Sequence, residues 1–249
     1  MKNRAAGLLM ILCVLCTLNL FASNGQNFTK ANILYSESKF EEALKLYLDL
    51  EISKLESSSL FYNIANTYFR LSKIGSAIQY YKKALRLNPL DGDIKSNLDF
   101  AREAIVDKIE ISTGTKVKSI LFFWYFLFNL KFLVALVVIT SLVMWTVLII
   151  RIFKKSEFLN WTFIIFFILF FLFSISAVIK YYEYNIDLEG VIISKEIQVR
   201  SSANETGVAL FNLHEGTEVR IQDELNDYYR IELKDKKNGW VKKEFIGVI

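Results

Sequence analysis

Histidine, cysteine and proline are almost missing from these 249 residues, which hold one, two and one of them. Cys13 and Cys16 both lie in the first 16 residues, so a chain processed beyond them has no thiol. That excludes a disulfide framework and a cysteine nucleophile from the mature protein. A lone histidine, His214, would need a nucleophile and an orienting acid to act as a catalytic base, and no motif supplies them. It sits in an "LHEG" turn, where a solvated role is expected. Metal-ligand clusters, phosphate loops and dinucleotide fingerprints are also missing. The expectation is a protein that is not an enzyme, with no cofactor and no metal. An excess of one charge sign is absent from the polar parts too. Residues 24–110 hold 12 basic and 12 acidic side chains, and residues 190–249 hold nine and ten. A nucleic-acid binder would concentrate Lys and Arg there to displace phosphate counterions, so nucleic acid is excluded as a partner.

What the chain has in abundance is apolar surface: 53% of residues are hydrophobic, 21 are Phe, and the mean hydropathy is +0.31. This composition points to a membrane protein. Lys2 and Arg4 precede an uncharged stretch from Ala5 to Phe21 and then small and polar residues. That order reads as an export signal over residues 1–23, with cleavage after Ala22, Ser23 or Gly25. An uncleaved signal anchor fits the same pattern. A lipoprotein signal fits poorly, because Val14-Leu15 before Cys16 lack the small residue expected there.

Residues 132–150 and 158–179 carry no charge at all. As helices they span roughly 28 to 33 Å, the thickness of a hydrocarbon core. The loop between them, residues 151–157, holds Arg151, Lys154 and Lys155 against Glu157. By the positive-inside rule this loop is cytoplasmic and both flanking domains face outward, the side the export signal also selects. Residues 111–131 read as a linker and an interfacial helix with Trp124 and Tyr125 at headgroup depth, because Lys131 is costly inside the bilayer.

Pairing the chain with itself at a spacing of 34 aligns Ala31 with Ala65, Leu34 with Tyr68, Ala43 with Ala77 and Tyr47 with Tyr81. Ile64, Ala65 and Tyr68 fall on one stripe of a first helix, and Ala77, Tyr81 and Ala84 on a stripe of a second. Small Ala65 and Ala77 let the helix axes approach. Pro89, the only proline, follows the second helix, whose hydrogen-bond ladder it cannot continue. The segment 58–91, with Phe61, Ile64, Ala65, Tyr68, Ala77, Tyr81, Ala84 and Pro89, resembles a tetratricopeptide repeat of that length. The preceding copy is degenerate, with Asn27 and Lys30 at positions where the pattern wants apolar residues. Residues 92–110 read as a capping helix burying Ile94, Leu98, Ala101 and Ile105, so the array occupies 24–110. Glu41 and Glu42 read as a solvated helix start.

The resemblance implies a concave groove that binds peptides. Its candidate residues are Tyr62, Asn66, Phe69 and Arg70, with Phe28, Asn32 and Tyr35 one repeat earlier. Asn66 would donate to and accept from a peptide backbone, and Arg70 would pair a carboxylate. The two lysines of relatives that bind chaperone tails are not evident at the matching positions.

After Gly190, short segments alternate Val, Ile and Tyr at period two, which predicts a small antiparallel β-barrel over 190–249. Trp240, Tyr229, Val199, Leu210 and Val219 are its expected core. The order "VRSSAN", "LHEGTEV", "YYRIEL", "GWVKKEFI" resembles a bacterial SH3-like domain, with Val199, Arg200, Leu213, Gly216, Tyr228, Gly239, Trp240 and Val241 in place. Ser202 stands where glycine is usual. Such domains are linked to cell-wall peptides or protein ligands, and Arg200 and Tyr228 are the candidate ligand face.

Taken together, the fold class is a multidomain membrane protein: an all-α tetratricopeptide array, two transmembrane helices and a small all-β SH3-like barrel. The module order resembles BatE-type proteins of bacterial aerotolerance (Bat) operons. That resemblance implies a membrane-anchored adaptor outside the cytoplasmic membrane. Its usual neighbours are MoxR-type ATPases and von Willebrand A domain membrane proteins, the latter being candidate partners. A cell-envelope anchor or sensor that binds peptidoglycan through the SH3-like domain is the alternative.

Overall fold

A computed structural model describes residues 25–107, 123–186 and 188–249. The expected export signal, residues 108–110 of the expected capping helix and most of the 111–131 linker lie outside these residues.

The N-terminal part is a stack of five helices. α1 covers residues 25–36, and α2 (Phe40–Ile52), α3 (Ser58–Arg70), α4 (Ile74–Leu87) and α5 (Gly92–Glu103) follow. Their ends are set by local chemistry. The Ser57 side chain accepts from the Leu60 amide at the start of α3, and Asp91 accepts from the amides of Asp93 and Ile94 at the start of α5. The turns closing α1 and α3 are the same structure 34 residues apart. Ser38 and Ser72 adopt φ of 62° and 60°. Their amides return to the carbonyls of Tyr35 and Phe69, and Lys39 and Lys73 return to Leu34 and Tyr68. α1 and α2 therefore form a complete helical pair, although Asn27 and Lys30 are exposed.

The stripes read from the sequence converge in one core. Ala31, Ala43, Ile64, Ala65, Ala77 and Ala84 are fully buried, and Tyr47 and Tyr81 nearly so. Ile94, Leu98 and Ala101 of α5 close the core. Ile105 lies past the end of α5, partly buried against the same core, and also reaches the sheet.

α6 (Phe123–Leu127) is one short turn and a half. α7 (Leu130–Phe153) and α8 (Glu157–Asn185) then form an antiparallel hairpin, and both are long and apolar enough to cross a membrane. Leu133, Thr140 and Val147, buried against α8, recur every seven residues. That is the seam of a left-handed helix pair. Most of the remaining surface of both helices is open: 17% and 6% of their most apolar stretches are buried.

The C-terminal part is a seven-stranded antiparallel sheet in the order β3-β2-β6-β5-β4-β1-β7. The strands are β1 (Glu189–Ile192), β2 (Glu196–Arg200), β3 (Ala209–His214), β4 (Glu218–Leu225), β5 (Tyr228–Glu232), β6 (Asn238–Lys242) and β7 (Ile246–Val248). Val199, Val219, Ile192, Ile231 and Val241 fill its core, with Tyr229 packed against it.

Three side chains differ from the sequence reading. Leu210 is 49% exposed rather than core, because in β3 the inward face belongs to Phe211 and Leu213. Tyr228, expected on an exposed ligand face, is 7% exposed. Trp240 is half-buried and outside the core cluster. Bulges at Val199/Arg200 and Ile221/Asp223 shift the register and break the simple alternation.

The sheet is seated on the outer side of the helical stack. β1 and β7 pack on α4. Lys73, which precedes α4, makes no side-chain cap, and Glu215 accepts from the Gly75 amide at 2.9 Å in its place. Gln79 donates to the Val248 carbonyl. Lys82 pairs with Glu189 and Glu218, and Arg102 with Glu218. Burial pushes the Glu218 carboxyl up, but Lys82 and Arg102 outweigh it and hold the group down to about 2.

His214 is not free in solvent as expected. Its Nδ1 lies 2.9 Å from Asp107, whose carboxylate also accepts from the His214 amide and the Thr217 hydroxyl. Ile105 closes the joint over Gly216: a Cβ there, at φ +90°, would meet Ile105 Cγ2 at 2.3 Å.

Candidate groove on the helical stack

With the sheet on α4, the face built by α1, α3 and α5 is the one left for a ligand. Its floor is a hydrogen-bond motif that occurs twice. Asn32 Oδ1 accepts from the Tyr47 hydroxyl at 2.6 Å and from Asn63 Nδ2 at 2.9 Å. Thirty-four residues on, Asn66 Oδ1 accepts from the Tyr81 hydroxyl at 2.6 Å and from Asn97 Nδ2 at 3.1 Å. Each motif joins three helices, so it sets the spacing of the stack as well as the asparagine. Burial pushes the Tyr47 hydroxyl up to about 12 and Tyr81 further still, so both remain protonated donors.

This arrangement revises what Asn66 can do. A carboxamide oxygen has two lone pairs, and both are occupied from within the stack. What Asn32 and Asn66 can still offer a ligand is N–H. Tyr62 is in the same position: its oxygen accepts from Asn97 Nδ2 at 2.9 Å and leaves its own O–H to donate. Asn32, Asn66 and Tyr62 therefore present donors, which suits the carbonyls of an extended chain.

The other candidates form the walls. Phe28 packs toward Tyr47, with ring centroids 6.0 Å apart, and Tyr35 edge-on to Phe40 at 5.3 Å. Phe69 meets Phe100 of α5 at 5.6 Å. Arg70 is exposed, with its guanidinium 5.8 Å from the Phe40 ring. Phe28, Tyr35 and Phe69 are thus engaged with neighbouring helices, while Asn32, Asn66, Tyr62 and Arg70 retain polar capacity toward the groove. Asn63, Asn97 and Phe100 were not anticipated. The first two were legible in principle, since they repeat at the same spacing of 34.

The second candidate face, on the sheet, is not assembled in this way. Arg200 is turned onto its own loop and donates to the carbonyls of Glu205 and Gly207. Tyr228 is buried on β5, separated from Arg200 by β6.

Comparison with known protein families matches residues 58–90, α3 through the turn after α4, to the tetratricopeptide repeat. Such repeats are characteristically protein-interaction modules without catalytic activity, and no catalytic family is indicated. No curated protein matches the chain.

Proposed function

We propose that this protein is a membrane-anchored adaptor whose helical stack holds a segment of a protein partner outside the cytoplasmic membrane. The observation that carries the reading is the duplicated Asn–Tyr–Asn motif, which saturates the asparagine oxygens and leaves a row of donors along an aromatic-walled groove. A ligand supplying backbone carbonyls at each repeat fits that row.

α7 and α8 are the anchor, with the Arg151, Lys154 and Lys155 loop on the cytoplasmic side. The seating of the sheet on α4 supports this topology, because two modules flanking a hairpin of spans can touch only if both emerge on one side. The SH3-like sheet then serves as a brace on the outer face of the stack. A place in a Bat/MoxR-type envelope complex, with von Willebrand A domain membrane proteins as partners, follows from the family resemblance. Peptidoglycan binding by the sheet has less support, since Arg200 and Tyr228 form no open face.

The test is photo-crosslinking in living cells from a reactive residue at Tyr62. The expected outcome is one or two dominant membrane-protein adducts, reduced about tenfold or more when Asn66→Ala removes one donor and exposes the Tyr81 hydroxyl. Capture that is unchanged in Asn66→Ala counts against the groove. Co-sedimentation of the full chain with purified cell wall would favour the alternative.

A further inference from the structure

The last turn of α4 is tied to the apolar hairpin. Asn129, the residue that caps α7, donates from Nδ2 to the Leu87 carbonyl at 2.7 Å, and the Tyr184 hydroxyl near the end of α8 donates to the Arg86 carbonyl at 3.3 Å. The Arg86 guanidinium also lies over the Tyr184 ring, 4.9 Å from its centroid. Further back along α4 the contacts move away from the hairpin. Lys82 pairs with Glu189 at the start of β1. The Gly75 amide reaches Glu215, which lies by the far end of β1, since the next amide, that of Gly216, donates to the Ile192 carbonyl at 2.8 Å. α4 therefore runs toward the hairpin and ends on it.

On the membrane-anchored reading these ties fix a depth. Asn129 stands three residues before Phe132, where one uncharged run begins, and Tyr184 five residues after Ile179, where the other ends. At 1.5 Å per helical residue they lie at most about 5 and 8 Å outside the hydrocarbon, and each polar headgroup layer is about 5 to 8 Å deep. Trp124 and Tyr125 of α6 and the exposed Tyr181 and Tyr182 of α8 belong to the same level, the residue types that concentrate there. Beyond Leu87, residues 88–90 turn the chain into α5, which packs back along α4. That turn is an extremity of the stack, and its Leu90 is 57% exposed. Ile52, 79% exposed, ends α2 at the same end of the stack, where Ser58 at the start of α3 donates to the Ala84 carbonyl at 3.1 Å. Single exposed aliphatic side chains are ordinary on a surface, but these two sit at the one end held at membrane depth, where apolar groups leave water.

We infer that this end of the stack rests on the lipid bilayer, with Leu90 inserted among the headgroups. The inference rests on the membrane-anchored reading above, and the occupant follows from continuity: the apolar surface of α7 and α8 stops just short of the two residues that hold Arg86 and Leu87. The contact is apolar and aromatic, so it forms on a neutral lipid surface. It stands the helices of the stack upright on the membrane. A segment crossing α1, α3 and α5 in the groove then runs parallel to the membrane plane, the direction natural to a juxtamembrane segment of a membrane-protein partner.

In a Cys13→Ser, Cys16→Ser background, Leu90→Cys, Lys73→Cys and Leu142→Cys are spin-labelled one at a time, and the full chain is embedded in phosphatidylcholine nanodiscs. All three positions are exposed, Lys73 at the far end of α4 and Leu142 midway along α7, and circular dichroism checks that each labelled chain keeps the native fold. Paramagnetic resonance compares collisions with oxygen, which concentrates in the bilayer, with collisions with a water-soluble nickel chelate. The oxygen-to-nickel ratio at Leu90 is expected to exceed that at Lys73 about threefold or more. A ratio at Leu90 equal to that at Lys73 overturns the contact. Shielding of Leu90 from both reagents does so too, because protein rather than lipid would then cover the turn. A ratio at Leu142 as low as that at Lys73 overturns the anchor and the contact together, whereas a high ratio at Leu142 beside a low one at Leu90 overturns the contact alone.

Discussion

Ser72 closes α3 in the left-handed region, where a residue with a Cβ is held at a cost that glycine does not meet. Ser72→Gly is therefore expected to raise stability by about 0.5–1 kcal/mol, the steric relief exceeding glycine's entropic cost. The thermal midpoint of the full chain in detergent reads this out, and Ser38→Gly should behave alike. Glu218 makes the opposite kind of contribution. Its carboxyl is held at about 2 in the folded protein against 4.5 in the unfolded chain. Its stabilisation is thus fully present above about pH 4.5 and is lost as pH falls toward 2. Contact between stack and sheet, followed by crosslinking of introduced cysteines, should hold at pH 7 and fail progressively below pH 4.5. Glu218→Gln should weaken it already at neutral pH, by on the order of 2–4 kcal/mol, because Lys82 and Arg102 lose their shared partner. Little of this was legible beforehand. A glutamate in a run of alternating residues has no signature of its two cationic partners 116 and 136 positions away. His214 illustrates the same limit, since its partner Asp107 lies 107 residues upstream.

At the scale of elements, periodicity marks which parts could be read. The helical pairs were legible because a spacing of 34 repeats the apolar stripes, the Asn–Tyr–Asn motif and even the turns at Ser38 and Ser72. The two apolar helices were legible from length alone. The strands were legible as strands but not in their facing: Leu210 is exposed on β3, where Leu213 is the buried residue, and Tyr228 is buried on β5. The start of α4 could not be read at all, since the group that caps it, Glu215, belongs to the sheet. Gly75 sits at that point because a Cβ there would stand 2.3 Å from the Ile192 carbonyl. Gly75→Ala improves the intrinsic propensity of α4 by about 1 kcal/mol, yet it is expected to loosen the sheet. Limited proteolysis of the full chain should then cut between stack and sheet more readily than in the parent protein. If Gly75→Ala is as resistant as the parent, α4 is not closely seated against β1.

For the whole molecule, the membrane reading and the contact between modules make one joint prediction. In a Cys13→Ser, Cys16→Ser background, single cysteines at Ser59 in α3 and Asn204 in the sheet should react alike with a membrane-impermeant thiol reagent in spheroplasts, and one at Lys154 should not. Opposite labelling of Ser59 and Asn204 would be incompatible with Gln79 reaching Val248 and Lys82 reaching Glu189 and Glu218.

The pairing of Gly75 with Glu215, 140 residues apart, also governs the order in which the chain can mature. The outer face of α4 is synthesised early, and, on the membrane-anchored reading, its mate emerges only after the hairpin between them has been inserted and β7 has been made. During that interval the sheet-facing side of α4 lacks β1 and β7, and the helix start at Gly75 has no cap. Docking of the sheet is thus a late, long-range step that, on the same reading, can complete only if the hairpin has delivered the distal half to the correct side. A chain that fails this delivery keeps an uncovered α4, the kind of surface that chaperones and proteases engage.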